Sequence, residues 1–132
     1  MSYLLDTHCF LWSLFAPGKL SRRAQAVIAD AASTVAVSSV TFWEIALKHA
    51  MGKLELERIA PEELPAAAKA MNLDLLPLDP ETAAGFARLP RGNHKDPFDR
   101  MLVWQAIGHG LVLISHDGRL DEYRSQGLRI LR

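Results

Sequence analysis

Cysteine is nearly absent from this sequence, because Cys9 is the only one among 132 residues. A disulfide framework within the chain and a thiolate zinc site both need more cysteines, so both are excluded. No apolar run approaches the roughly 20 residues of a membrane-spanning helix. The first residues also lack the basic segment that is typical of a signal peptide. These absences predict a cytoplasmic protein that does not enter a membrane.

The sequence also lacks a net charge, because 15 Lys and Arg residues balance 15 Asp and Glu residues. Attraction of the whole protein to nucleic acid is therefore weak, and a nucleic-acid enzyme of this composition must rely on local basic groups or a metal ion. The hydrophobic fraction of 49% and the charged fraction of 23% are those of an ordinary globular protein. We predict one folded domain over residues 1–132.

Short apolar runs alternate along the chain with segments of helical periodicity. Strands are predicted at residues 3–5, 34–38, 73–78, 111–115 and 128–131, and helices at about 7–15, 20–32, 40–51, 61–71, 80–89 and 96–109. Ser39 or Thr41 is expected to cap the third helix, and Pro77 favours an edge position for its strand. The alternation predicts an α/β protein, a three-layer α/β/α sandwich with a central parallel sheet of four to five strands.

Four acidic side chains are expected at one edge of this sheet. Asp6 ends the first strand and Asp117 follows the strand at residues 111–115. Glu44 lies early in the helix that follows residues 34–38. Asp99 lies in the first turn of a helix that runs antiparallel to the strand after it. Because the carboxyl ends of parallel strands meet at one edge, the four carboxylates converge there.

Each acid also has an ordinary structural interpretation. Asp6 can cap the helix that follows it, and Asp117 can begin a turn. Asp96 stands before a proline, which is typical of an N-cap, and we leave it outside the main site. Glu44 lies in an apolar helix, where a buried carboxylate needs a partner, and Lys48 one turn later can supply one.

The cluster as a whole favours a metal site. Two like charges about 4 Å apart repel by about 1 kcal/mol in water and by about 4 kcal/mol at an effective dielectric of 20. A divalent cation removes this repulsion, and carboxylate oxygens are ligands that Mg²⁺ and Mn²⁺ prefer. Such a site suits hydrolysis of a phosphodiester bond. Thr7, Ser39 and Ser115 flank the acids and can orient them, or can equally serve as ordinary caps.

Four segments of the sequence resemble the signature segments of PIN domains. Their sequences are LLDTHCFLW at residues 4–12, SSVTFWEIALK at 38–48, KDPFDRMLVWQA at 95–106 and LISHDGRLDEY at 113–123. Their order and spacing match the family over nearly the whole chain, and the DPFDR form is similar to VapC-type toxins of type II toxin–antitoxin systems.

The resemblance implies an α/β/α sandwich and a Mg²⁺- or Mn²⁺-dependent endoribonuclease that acts as a toxin on RNA. It implies that the metal-binding, catalytic acids are Asp6, Glu44, Asp99 and Asp117, with Asp96 as an accessory residue. It also implies a homodimer and a cognate VapB-type antitoxin that covers the site, and one hypothesis is that an antitoxin arginine reaches the acids.

Several further residues lie near the proposed site. His116 stands before Asp117, where the resemblance leads us to expect Arg, Asn or another polar residue, and it can still be an accessory group. His94, Lys95 and Arg100 can contact phosphates, although basic loop residues are often simply solvated. We expect Trp104 to lie in the core. For Trp43, the rim of the site and a dimer interface both stay open.

Other function classes fit less well. A nucleotide-binding Rossmann domain needs a glycine-rich turn after the first strand, and residues 6–9 contain no glycine. A phosphatase of the haloacid dehalogenase type needs a second Asp two residues after the first, where His8 stands. A PIN-like domain that binds RNA or protein without cleavage is the main alternative, and the residue types do not exclude DNA as a substrate.

Overall fold

Five parallel strands form the centre of the protein. A computed structural model describes residues 2–132 and arranges the strands in the order β3-β2-β1-β4-β5. The strands are β1 Ser2–Leu5, β2 Thr34–Ser38, β3 Asp74–Leu76, β4 Val112–Ile114 and β5 Arg129–Leu131. All four neighbouring pairs are parallel. The predicted parallel sheet is therefore confirmed, and its third strand lies at an edge as Pro77 indicated.

Helical segments connect each strand to the next. The α-helices are α1 Thr7–Phe15, α2 Arg22–Ala29, α3 Ser39–Ala50, α4 Leu64–Ala70, α5 Pro80–Gly85 and α6 Pro97–His109. In the described part of the chain, 3₁₀ segments lie at Pro17–Lys19, Pro61–Glu63, Phe86–Arg88 and Gly118–Gln126. Within residues 2–132, none of the helices is long and apolar enough to cross a membrane.

The two faces of the sheet bury separate apolar clusters. Leu5 and Ile114 belong to one cluster, and their neighbours Leu4 and Leu113 belong to the other. This division follows from the pleat of a strand, which points successive side chains to opposite faces. Helices α1 and α3 contribute to the first cluster, and α6 contributes Leu102 to the second. The predicted three-layer α/β/α sandwich is confirmed.

Several helices are shorter than the sequence predicted. Helix α2 ends at Ala29, and the predicted helices at residues 61–71 and 80–89 each contain a 3₁₀ segment beside a short α-helix. The N-cap of α3 is Ser38, whose Oγ accepts a hydrogen bond from the Val40 amide at 3.0 Å. The prediction of Ser39 or Thr41 as the cap is wrong, because β2 passes directly into α3 without a loop.

Ser38 also joins β2 to α6. Its hydroxyl donates to Oε1 of Gln105 at 2.5 Å, and both side chains are fully buried. Gln105 lies on the helix that carries Asp99, while Ser38 caps the helix that carries Glu44. One buried hydrogen bond therefore connects the elements that carry two of the predicted site acids.

We expect Ser38→Ala to lower the free energy of unfolding by about 2 to 4 kcal/mol. The loss of the N-cap contributes about 1 kcal/mol, and an unpaired buried Gln105 oxygen contributes about 1 to 3 kcal/mol. Urea unfolding followed by circular dichroism measures the change. Ser39→Ala is the matched control, because Ser39 is exposed, and its effect should stay within about 0.5 kcal/mol. Equal stability of the two variants would contradict the prediction.

Candidate metal-binding site

Asp6 lies at the end of β1, beside the end of β4. Its amide donates to the carbonyl of Ile114 at 3.0 Å, so the two central strands are tied together where the site begins. Its carboxylate Oδ1 accepts a hydrogen bond from the Cys9 amide at 2.8 Å and caps α1. The capping interpretation of Asp6 is confirmed, and Asp6 is only 5% exposed. Burial, together with the charge of Asp6, raises the pKa of the Cys9 thiol.

Glu44 is buried on α3 and has two partners in the protein. The Thr7 hydroxyl donates to its Oε1 at 2.6 Å, and the Lys48 ammonium pairs with its Oε2. Burial opposes the charge of Lys48, but the hydrogen bond and charge of Glu44 outweigh burial and raise the Lys48 pKa. The sequence interpretation that Lys48 neutralises Glu44 is confirmed. Thr7 also contacts the Thr41 hydroxyl, which is buried beside it.

Asp99 lies in the first turn of α6, after the cap that Asp96 provides. The Asp96 carboxylate accepts hydrogen bonds from the amides of Phe98 at 2.8 Å and Asp99 at 3.2 Å, which confirms its capping role. Burial raises the pKa of Asp99, and the negative charges of Asp96, Glu44 and Asp6 raise it further. Asp96, Glu44 and Asp6 are thus close enough to Asp99 to repel its charge.

Asp117 follows β4 and begins the 3₁₀ segment Gly118–Gln126. Its amide donates to the buried Ser115 hydroxyl at 3.1 Å, which shapes the turn. The Arg119 guanidinium binds the Asp117 carboxylate with two hydrogen bonds, at 3.0 Å to Oδ1 and 2.8 Å to Oδ2. These bonds lower the pKa of Asp117. The Arg119 side chain is 75% exposed, so it can move away from Asp117 without disturbing buried packing.

Three groups with metal-ligand chemistry meet at this place. One possible ligand atom each from His94, Asp99 and Asp117 lies within 4.8 Å of the other two. His94 contacts the Asp99 Oδ2 through its Nε2 at 2.9 Å. The two carboxylates suit Mg²⁺ or Mn²⁺, and the imidazole contacts one of them. Burial is the largest cause of the raised Asp99 pKa, and repulsion by Asp96, Glu44 and Asp6 adds to it. A bound cation relieves that repulsion, so the residues present fit a divalent metal ion.

Comparisons with known proteins identify the family of the chain. The family model described as "PIN domain" matches residues 3–125 of the chain. The chain belongs to the PIN-domain family. It is 30% identical to ribonuclease VapC22 of Mycobacterium tuberculosis over 121 residues, which are 92% of this chain and 91% of that protein. The resemblance of the four sequence segments is confirmed.

Solved structures share the fold at low sequence identity. VapBC2 from Rickettsia felis, bound to a DNA fragment from its promoter, is similar at a TM-score of 0.67 and 13% identity, with 99% of this chain and 98% of that chain covered. VapBC-5 from Mycobacterium tuberculosis is similar at a TM-score of 0.61 and 20% identity, with 99% and 98% covered. These similarities support the PIN-type α/β architecture.

Two hollows of this PIN domain adjoin at the acidic cluster. One hollow, of about 280 Å³, is lined by Asp6, Asp117, Trp12 and His116. The rings of Trp12 and His116 lie with their centroids 5.4 Å apart. The other, of about 490 Å³, includes His94 and Asp96 together with the basic residues Lys95 and Arg119. Because His94 and Asp117 are neighbours in the cluster, an extended ligand can contact both hollows.

The remaining predicted residues have varied surroundings. Arg100 is directed into the protein, where its guanidinium donates to the Leu89 and Pro90 carbonyls and the Tyr123 hydroxyl. Lys95, His116 and Ser39 are exposed.

The two tryptophans outside the hollows differ in exposure. Trp104 packs against the second apolar cluster, as predicted, and its Nε1 donates to the Thr82 carbonyl at 2.9 Å. Trp43 on α3 is 61% exposed and lies against Phe98 with ring centroids 5.1 Å apart.

In Arg119→Ala, we expect the Asp117 pKa to rise towards its ordinary value of about 3.9. A carboxyl with a lowered folded-state pKa adds stability above its unfolded-state pKa and loses it as pH falls through the folded-state value. Metal-free wild-type protein should therefore melt above the variant near neutral pH, and the difference should vanish in acid. NMR titration of the Asp117 carboxyl carbon and calorimetry in EDTA measure both effects. An unchanged Asp117 pKa would contradict this role of Arg119.

Proposed function

We propose that this protein is a metal-dependent endoribonuclease and the toxin of a toxin–antitoxin pair. The observation that carries the proposal is the meeting of His94, Asp99 and Asp117, from three separate segments, within 4.8 Å in a PIN domain. The 30% identity to a protein named as a ribonuclease, over nearly the full length of both chains, supports the same activity.

In this proposal, the carboxylates hold Mg²⁺ or Mn²⁺. Asp99 and Asp117 supply the oxygens that hold the cation, and Asp6 and Glu44 add negative charge from the end of β1 and from α3. When bound, the cation acts as a Lewis acid that activates water and neutralises charge on the phosphate. Thr7 fixes the orientation of Glu44 through its 2.6 Å hydrogen bond. Ser115 fixes the turn that presents Asp117.

Local basic groups attract the RNA backbone in this proposal. The net charge of zero gives no general attraction, so phosphate contacts must come from side chains beside the cluster. Lys95 and Arg119 line the larger hollow. A guanidinium can donate two parallel hydrogen bonds to a phosphate, as it does to a carboxylate. Where Asp117 holds a cation, the exposed Arg119 side chain would be available to bind an RNA phosphate.

An antitoxin of the VapB type and a second copy of the chain are the proposed protein partners, and the cytoplasm is the proposed location. Solved structures with this fold include VapBC toxin–antitoxin complexes. The chain also leaves Trp43 and Leu47 of α3 and its C-cap residue Met51 exposed, at fractions of 61%, 38% and 55%. Residues four apart share a helix face, so these side chains form one apolar surface that a partner can cover.

RNA cleavage by the purified, antitoxin-free protein tests the proposal. Transfer RNA, ribosomal RNA and messenger RNA are each incubated with Mg²⁺, Mn²⁺ or EDTA, beside single-stranded DNA of matched sequence. Cleavage of RNA that needs the metal and stops in EDTA is the expected result. Cleavage of DNA alone would replace RNA as the substrate class. No cleavage of any substrate by folded protein would favour a PIN domain that binds RNA or protein without cleaving it.

A further inference from the structure

His94 is unusually buried for a residue of a connecting loop. Its side chain is 1% exposed, although the neighbours Asn93 and Lys95 are both exposed. Loops normally lie on the surface, and a buried imidazole needs hydrogen-bond partners. Its Nε2 has one, the Asp99 Oδ2 at 2.9 Å. A buried loop residue therefore contacts Asp99, a proposed metal-binding carboxylate.

The hydrogen bonds assign the proton of the imidazole. The ionised form of Asp99, which is the form that binds a cation, accepts but does not donate, so its bond to His94 needs a proton on Nε2. Nδ1 is buried and has no hydrogen-bond partner within residues 2–132. A proton on Nδ1 would be a buried donor without an acceptor, which is costly. With its proton on Nε2, His94 offers Asp99 a hydrogen bond rather than offering a metal ion a lone pair.

The loop that carries His94 is held from two directions. The Glu122 carboxylate accepts hydrogen bonds from the amides of Asn93 and His94, each at 3.2 Å. Arg100 on α6 donates to the carbonyls at the start of the loop. Glu122 lies in the 3₁₀ segment that Asp117 begins. The same short segment therefore presents one proposed metal ligand and fixes the loop that contacts the other.

We propose that His94 is a positioning residue that fixes the Asp99 carboxylate for a divalent cation, an inference that rests on the metal site of the proposed function. Its Nε2–H holds Oδ2 and leaves Oδ1 available to the cation. Asp99 needs such a donor because the carboxylates of Asp96, Glu44 and Asp6 repel it. A hydrogen-bonded carboxylate also loses less rotational freedom when the cation binds.

Mn²⁺ binding to the metal-free protein at one fixed pH tests the proposal. Isothermal titration calorimetry is run on wild type, His94→Leu and His94→Gln. We expect His94→Leu to weaken Mn²⁺ binding by about 10- to 100-fold, as is usual when a partner of a metal ligand is lost. His94→Gln should recover most of the affinity, because the Gln side-chain amide can donate from nearly the position of Nε2. Differential scanning calorimetry confirms that each variant is folded.

Glu122→Ala provides a second test that leaves His94 in place. Glu122 is exposed, so its removal should not unfold the protein, and Asp121→Ala is a matched control on the same segment. We expect Glu122→Ala to weaken Mn²⁺ binding by a smaller factor than His94→Leu, and Asp121→Ala to have no effect.

The outcomes separate this inference from the nuclease activity. Wild-type affinity in His94→Leu, or an equal loss in His94→Gln and His94→Leu, would overturn the positioning role. So would a wild-type protein that binds no Mn²⁺. If wild type binds Mn²⁺ and shows the expected pattern of variants but cleaves no RNA, the positioning role is supported and the proposed ribonuclease activity fails.

Discussion

Replacement of Asp117 by Asn is expected to lower metal-dependent RNA cleavage by more than about a hundredfold. Loss of a residue that merely supports a metal ligand costs about 10- to 100-fold, and loss of a ligand carboxylate should cost more. Asn keeps the size of the side chain and can still accept the Arg119 amide bond that caps the 3₁₀ segment. The fold should therefore persist. Single-turnover cleavage at saturating Mg²⁺ measures the loss.

Asp121→Asn is the matched control for this prediction. The chemical change is the same, the residue lies four positions later in the same 3₁₀ segment, and its carboxylate is 45% exposed in pairs with Arg124 and Arg132. Because Asp121 lies outside the acidic cluster, the cleavage rate of Asp121→Asn should stay close to that of wild type. Retention of full activity by Asp117→Asn, or an equal loss in both variants, would contradict the assignment of Asp117.

Mn²⁺ is expected to raise the melting temperature of the wild-type protein and not that of Asp99→Asn. A ligand that binds only the folded state at 100 times its dissociation constant adds about 2.7 kcal/mol of stability. For a chain of this length that corresponds to a rise of about 10 °C. Calorimetric scans with EDTA and with excess Mn²⁺ measure the rise in each protein.

The same scans should show that metal-free Asp99→Asn is at least as stable as metal-free wild type near neutral pH. Burial and the neighbouring acids raise the Asp99 pKa. A raised pKa means that the ionised carboxyl is less favourable in the folded than in the unfolded state, so removing its charge removes a cost. The Asn oxygen still accepts from His94. A full Mn²⁺ response in Asp99→Asn, or a marked loss of its metal-free stability, would contradict the prediction.

The sequence was sufficient to predict the parallel sheet and its two covered faces. The alternation of strands and helices carries that information, because each βαβ unit requires a covering helix. The ends of the helices were less predictable. Ser38 is the last residue of a strand and also the cap of α3. Residue preference alone does not distinguish it from Ser39 or Thr41, which can also cap a helix. The 3₁₀ segment Gly118–Gln126 has no strong periodicity, and no helix was predicted there.

The proximity of Asp6 and Asp117 could be predicted because topology alone brings the ends of β1 and β4 together. The partners of those acids could not be predicted in the same way. His94 reaches Asp99 because Glu122, 28 residues later, fixes the loop. The contact between Arg119 and Asp117 joins residues two apart. The only sequence pattern that indicated it was a turn beginning at Asp117. The pairing of Lys48 with Glu44 could be predicted because a helix places residues four apart on one face.

The dependence of RNA cleavage on Mn²⁺ concentration tests the central claim most directly. Initial cleavage rates are measured across a Mn²⁺ titration, and the dissociation constant of Mn²⁺ is measured by calorimetry on the same wild-type protein. If the acidic cluster binds the cation that supports cleavage, the Mn²⁺ concentration that gives the half-maximal rate equals the dissociation constant of Mn²⁺. Cleavage then ceases in EDTA. Cleavage that persists in EDTA, or that rises at Mn²⁺ concentrations unrelated to binding, would contradict the claim.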